Sequence, residues 1–277
     1  MTPHDLLAAF ETLAEAPDGI ARLRELVLQL AVRGKLVPQD PNDEPVCVLL
    51  ERIAVEKARL VKEGKLPKPK PLLLVSEDEM PFEVPEGWVW CRFCDIANIA
   101  SNLVNPSVFL DAPHVAPDSI ERATGQLLGY RTIAEDGVKS AKHRFFPGQI
   151  LYSKIRPNLS KVIKVDFEGL CSADMYPIDA WIDRSYLHLY MLSPTFTTAA
   201  MTGDNRVAMP KVNQEQLAAI PVSLPPLPEQ HRIVPGSMPL GRYSTVWRPP
   251  GASEKPPALP CATPLLPPYV MPLIPGQ

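Results

Sequence analysis

The chain has 277 residues, enough for one large domain or two modest ones, either able to bury a core. A hydrophobic content of 45% and a charged content of 21% argue against wholesale disorder, and a net charge of −3 gives no global pull toward nucleic acid, so any such binding must come from local charge placement. Five cysteines without a basic n-region between Met1 and Phe10 exclude a secreted disulfide scaffold, and no apolar run reaches the ~20 residues that span a bilayer; the expected location is the cytoplasm.

In chain order, the first predicted element is a helix from about His4 to Glu15, with Leu6, Leu7, Phe10 and Leu13 at helical spacing, broken by Pro17-Asp18-Gly19. A second helix carries Leu23, Leu26, Val27 and Leu30 on one face, with Gly34 as its C′ residue. After a turn-rich loop from Pro38, Pro45 suits the first turn of a third helix. Its stripe is Val46, Leu49, Leu50, Ile53 and Leu60, and Gly64 ends it. Lys65 to Glu86 reads as an extended linker stiffened by Pro67, Pro69, Pro71, Pro81 and Pro85. From Gly87-Trp88 onward, short β-branched strands punctuated by turns predict a mixed α/β domain. After Val234 the pattern is lost: twelve of the 34 prolines fall in the last 43 residues, which hold only four charged side chains. Prolines remove backbone donors and interrupt helices and central strands, so an irregular or disordered tail is expected.

The expected fold is thus α+β, with four divisions. Residues 1–64 form a helical region, 65–86 a linker, 87–232 a mixed α/β domain and 233–277 a proline-rich tail.

The segment richest in chemistry runs from Lys139 to Val165. It contains no Asp or Glu but holds Lys139, Lys142, Arg144, Lys154, Arg156, Lys161, Lys164 and His143, a local surplus suited to phosphates. If 149–155 is a strand, Leu151, Ser153 and Ile155 share one face, and Ile150, Tyr152, Lys154 and Arg156 share the other. The second face would present a phenol, an ammonium and a guanidinium together; Arg reads guanine bidentately, Lys and Tyr hold phosphates, and Asn158 pairs with adenine or caps a turn. The competing explanation is a solvated strand face or edge protection.

Other motifs carry less. Cys91-Arg92-Phe93-Cys94 has C-x-x-C spacing, but Cys47, Cys171 and Cys261 supply no second pair for zinc, and the two cysteines read as strand-borne. Leu266-Pro267-Pro268-Tyr269 lacks the polar first residue that would hold the amino group of a flipped base. Asp43, Glu63 and Lys65 flank opposite ends of a predicted helix, too far apart to share Mg²⁺. The five histidines form no H-x-x-x-H pair, and Ser153 is in no nucleophile elbow. No catalytic set assembles.

Six segments, in this order, resemble the specificity subunit of type I restriction–modification systems. They are Leu30 to Pro45, Glu56-Lys57-Ala58-Arg59-Leu60, Pro85-Glu86-Gly87-Trp88, Pro147 to Pro157, Cys171-Ser172-Ala173-Asp174, and Ile220 to Ile233 with its Pro-Pro-Leu-Pro-Glu-Gln-His-Arg-Ile run. The resemblance covers about residues 1–234. It implies a non-catalytic DNA-recognition subunit with a target-recognition domain for double-stranded DNA. It also implies partner methyltransferase and restriction subunits that carry S-adenosylmethionine, ATP and Mg²⁺, with no cofactor of its own. The expected DNA contacts are Tyr152, Ser153, Lys154, Arg156, Asn158 and Lys161; Trp88 and Ile220 to Pro225 would frame the domain, and the helices at 20–33 and 45–63 would dock the methyltransferase or a second copy.

The sequence departs from that family in carrying one recognition domain instead of two, and in placing Pro235 where the family's signature opens a long helix. Both departures predict a subunit truncated after its first domain, with a tail read in a shifted frame. A homodimer restoring two domains, an inert remnant and a methyltransferase–nuclease fragment are the alternatives.

Overall fold

A computed structural model describes residues 18–68, 72–202 and 210–237. The helix expected at 4–15, the Leu266-Pro267-Pro268-Tyr269 run and nearly all of the tail lie outside the described residues. Those described belong to one compact unit.

Helix α1 spans Gly19–Val32 and buries Leu23, Val27, Leu28, Ala31 and Val32. Its C-terminus is closed as the sequence predicts. Gly34 is left-handed (φ 66°), its N–H donates to the Ala31 carbonyl (3.3 Å), and the Lys35 N–H donates to the Leu30 carbonyl (2.9 Å). Helix α2, Val46–Lys62, buries Val46, Leu49, Ile53 and Leu60 and ends in the same way at Gly64 (φ 70°). The apolar stripes of α1 and α2 enter the same core as Trp88, Phe93, Tyr152, Tyr186, Phe196 and Ile233. The helices of residues 1–64 that the structure describes therefore share their core with the mixed α/β part of the chain.

Strands β1 (Val89–Arg92) and β11 (Pro221–Leu224) pair antiparallel and close the domain, Val89 opposite Leu224 and Arg92 opposite Pro221. A second sheet runs in the order β2 (Ala97–Ile99), β10 (Met175–Ala180), β7 (Ile150–Ser153), β8 (Val162–Lys164), all antiparallel. A third has the order β3 (Leu103–Val104), β6 (Lys142–Phe145), β9 (Gly169–Cys171), β4 (Pro113–Val115), β5 (Arg131–Thr132). In it only β4 and β9 run parallel. Helices α3 (Arg184–Leu192), α4 (Pro194–Met201) and α5 (Gln214–Ala219) pack into the core with α1 and α2.

The second sheet is a middle layer. From β7, Ile150 and Tyr152 enter the core shared with the helices, whereas Leu151 enters a smaller core with Val115, Phe145, Ile163, Val165, Cys171 and Met175. The predicted alternation along β7 is present, but both faces are covered. A solvent-facing row of Ile150, Tyr152, Lys154 and Arg156 does not exist.

Residues 72–82, within the expected linker, are tied to the rest of the unit. The Arg92 guanidinium, itself buried, donates to the Leu73 and Leu74 carbonyls (both 3.0 Å), the Ala219 carbonyl (3.0 Å) and both Glu79 oxygens (2.7 Å each), while Phe82 stacks tilted on Trp90. Arg92 thereby holds the Glu79 carboxyl down at about 2. And the chain does not leave helical geometry at Val234: α6 runs from Leu227 to Ser237 with Pro235 inside it. Pro235 falls in the last turn, where its missing N–H removes one intrahelical bond, and Ile233, two residues earlier, is fully buried.

Three of the six resembling segments meet at α6: the one holding Gln39 and Asp43, the one holding Trp88, and the one from Ile220 to Ile233. The Glu229 carboxylate accepts from Trp88 Nε1 (2.9 Å) and from Gln39 Nε2 (3.2 Å), and the Gln39 amide also donates to the Gly34 carbonyl (2.7 Å). Gln230 accepts from the Asp183 N–H (3.0 Å) and donates to the Pro225 carbonyl (2.9 Å). Arg232 grips Asp43 with both terminal nitrogens (3.0 and 2.5 Å). Ser223 Oγ donates to the Val32 carbonyl (2.7 Å), one of the orphan acceptors at the end of α1.

Candidate functional site

The acid-free run does not form one cationic surface. Strand β6 lies in one sheet and β7 and β8 in another, so its basic groups are dispersed and mostly engaged. Lys142 is buried and donates to the Ser140 carbonyl (3.0 Å) and hydroxyl (2.6 Å). His143 is buried, accepts at Nδ1 from the Asn102 N–H (3.2 Å), and is shifted to lower pKa by burial and by Lys154. Arg144 lies over Phe146 (4.8 Å) and Phe109 (5.4 Å) and pairs with Glu168 (3.2 Å). Lys164 donates to Ser185 Oγ (2.9 Å).

What the run does build is a loop at the end of β7. The Ser153 N–H donates to the Lys161 carbonyl (3.0 Å), closing its base, and Ser153 Oγ donates to the Ile155 carbonyl (3.0 Å). Lys154 N–H donates to the Asp174 carbonyl (2.9 Å), the Val212 N–H to the Lys154 carbonyl (2.8 Å) and the Arg156 N–H to the Pro210 carbonyl (2.9 Å). Two non-glycine residues, Arg156 (φ 49°) and Ser160 (φ 44°), are left-handed and flank a tight turn, Pro157–Leu159. Each left-handed residue costs about 1–2 kcal/mol, so the surroundings must hold it. They do so through the buried Pro157, the Ser160 Oγ–Thr197 Oγ1 hydrogen bond to α4 (2.8 Å), and the Ala123 N–H donating to the Leu159 carbonyl (3.1 Å).

The six predicted contacts separate accordingly. Tyr152 is 1% exposed, its phenol raised in pKa by burial, and Ser153 is 2% exposed with its hydroxyl spent on Ile155; neither is presented to a ligand. Lys161 turns back onto the Pro117 carbonyl (2.7 Å) and lies 3.6 Å from Asp118. Lys154 is half-buried over the Tyr176 ring (5.3 Å), with its ammonium 3.9 Å from Asp174 Oδ1. Arg156 and Asn158 are exposed, at the start and middle of the constrained turn.

Two neighbours were missed. Lys211 bridges backbone to Ile155, and its ammonium is 3.5 Å from the same Asp174 oxygen. Lys211 carries no local charge surplus, and Asp174 lies outside the acid-free window, although it ends one of the resembling segments. Only pairing across the fold brings them together.

The other candidates resolve as structure. Cys91 lies buried in β1 with Sγ 3.7 Å from the Val222 carbonyl, and Cys94 falls on the helical turn Phe93–Ile96, not on a strand; burial raises both thiols. Among the described residues no cluster of His, Cys, Asp and Glu is arranged to hold a metal. Asp43 is held by Arg232, and Glu63 by Arg59 and Lys65, so they share no ion.

Comparison with known proteins gives the following. A family model described as type I restriction modification DNA specificity domain matches residues 85–240, more than half of the chain. The EcoDI type I restriction enzyme specificity subunit of Escherichia coli is 42% identical over 235 residues, covering 83% of this chain and 49% of that one. The EcoEI specificity subunit of the same organism is 38% identical over 228 residues, covering 78% and 38%. The crystal structure of the HsdS subunit from Thermoanaerobacter tengcongensis aligns with a TM-score of 0.42 at 16% identity, over 87% of this chain and 51% of that one. The chain spans half or less of the length of these two curated relatives. With the family model matched over more than half of its length, the chain belongs to the type I restriction modification DNA specificity domain family.

Proposed function

We propose that this chain recognises double-stranded DNA in a sequence-dependent way as a non-catalytic specificity subunit, directing methylation and cleavage performed by partner subunits. The observation that carries the reading is the 154–161 loop: an exposed guanidinium and an exposed carboxamide on a turn held in two costly left-handed positions. Arg156 and Asn158 have the donor and acceptor patterns that read guanine and adenine edges, and Lys154 with Lys211 supplies phosphate contacts that position without specifying. Tyr152, Ser153 and Lys161, proposed from sequence as contacts, act by holding the loop.

The partners would be methyltransferase and restriction subunits, which would carry S-adenosylmethionine, ATP and Mg²⁺. Two copies about a twofold axis would present two loops to a split site. No described helix is long and apolar enough to cross a membrane, and the cytoplasm, where the DNA is, is the proposed location.

Filter retention of a random duplex tests the site. The Lys154→Ala, Arg156→Ala double variant is expected to lose about ten-fold in affinity at 0.1 M salt and to flatten the log–log salt slope by roughly 1, since Lys154 is the phosphate contact removed and each such contact contributes about 0.9. Retention equal to wild type would remove the loop from the interface.

A further inference from the structure

The interface holds one carboxylate that a phosphate-binding surface does not need. Asp174 follows β9 and precedes β10, and its Oδ1 faces two ammonium groups at once, Lys154 Nζ at 3.9 Å and Lys211 Nζ at 3.5 Å. The arrangement is set by backbone. Lys154 N–H donates to the Asp174 carbonyl, Asp174 N–H donates to Ser172 Oγ (3.2 Å), and Lys211 is bridged to Ile155. Both separations exceed the 2.7–2.9 Å typical of a charge-assisted hydrogen bond, and the Asp174 side chain is 43% exposed. Such a pair is weak and exchangeable. A phosphate, with more acceptor oxygens, would suit the same two ammonium groups and would have to displace or approach the carboxylate to reach them.

We propose that Asp174 is a specificity-determining residue: in the free protein its carboxylate stands in for a DNA phosphate between Lys154 and Lys211, and so lowers affinity for DNA of arbitrary sequence. The proposal rests on the reading that the 154–161 loop faces DNA. Phosphates are present at every site, so whatever weakens phosphate contacts lowers non-specific affinity directly, and base contacts by Arg156 and Asn158 then carry a larger share of the discrimination. The cations that face Asp174 from neighbouring elements are Lys154, Lys211 and, more distantly, Lys142. Without the carboxylate that patch gains a full unit of positive charge.

The test is titration of the full chain with a random-sequence duplex across a salt series. Asp174→Asn, nearly isosteric and leaving the backbone hydrogen bonds in place, is expected to bind about five-fold more tightly near 0.1 M salt, with a log–log slope steeper by about 1 to 2. Asp166→Asn makes the same change in net charge beside Arg184, away from the loop, and is expected to leave slope and affinity at wild-type values. Asp174→Ser, read in the same way, replaces Asn if the latter melts early. Binding by Asp174→Asn that is unchanged, weaker, or matched by Asp166→Asn overturns the proposal; weaker binding would mean that the carboxylate touches DNA itself. A Lys154→Ala, Lys211→Ala variant separates the two failures. If it binds as wild type does, the interface is misplaced; if it binds less tightly while Asp174→Asn is silent, the interface stands and the role of Asp174 does not.

Discussion

Arg156 is the residue at which stability and the proposed recognition part company. Its left-handed backbone costs about 1–2 kcal/mol, and glycine would relieve that cost while adding about 0.5–1 kcal/mol of unfolded-state entropy. Arg156→Gly is therefore expected to melt at or slightly above the wild-type temperature while binding DNA more weakly. A lower melting temperature would mean that the guanidinium stabilises the fold, contrary to its exposure. Ser160 differs, because its side chain is bonded to Thr197 and its replacement would alter the fold as well as the loop. The charge at this site was half legible in the sequence. An acid-free run located Lys154, Arg156 and Asn158, but local composition says nothing about Lys211 and Asp174, which reach the same place from other parts of the fold.

At the scale of elements, helix ends and apolar stripes were readable because their causes are local. Gly34 was assigned to the end of α1 from its position alone, and the structure adds a second constraint. A Cβ there would come 2.4 Å from Pro85 Cγ and 3.1 Å from Trp88 Cζ2, besides the strain of φ 66°. Gly34→Ala is expected to destabilise the protein by about 2–4 kcal/mol, combining a left-handed non-glycine residue with overpacking, in denaturant unfolding. A loss under about 1 kcal/mol would show that the Pro85–Trp88 segment yields freely. Strand β7 shows where local reading stops. Alternation identifies two faces but not whether a second layer covers the outer one, and here Leu151 meets a second sheet while Tyr152 points into the helical core. Helix α6 makes the complementary point: Pro235 predicts a boundary, yet so near the helix end it removes only one intrahelical hydrogen bond, and the helix runs on to Ser237.

At the scale of the molecule, the first helices, the Pro85–Trp88 turn and the last strand and helix form one knot around Glu229, Gln230, Arg232 and Ser223. Burial raises the Glu229 carboxyl above its ordinary range, and the Trp88 and Gln39 donors oppose that rise, so the knot combines a desolvated acid with its own solvating groups. The first, third and last of the resembling segments are thus parts of one closure, although they lie far apart in sequence. That closure holds the sheets in place, and the sheets hold the loop. The central claim is that the loop reads sequence, and a methylation map of the host genome tests it most directly. With the intact gene a bipartite methylated motif is expected, and with Arg156→Ala, Asn158→Ala in its place one half of that motif should be lost or become degenerate. An unchanged motif in the variant strain would contradict the account.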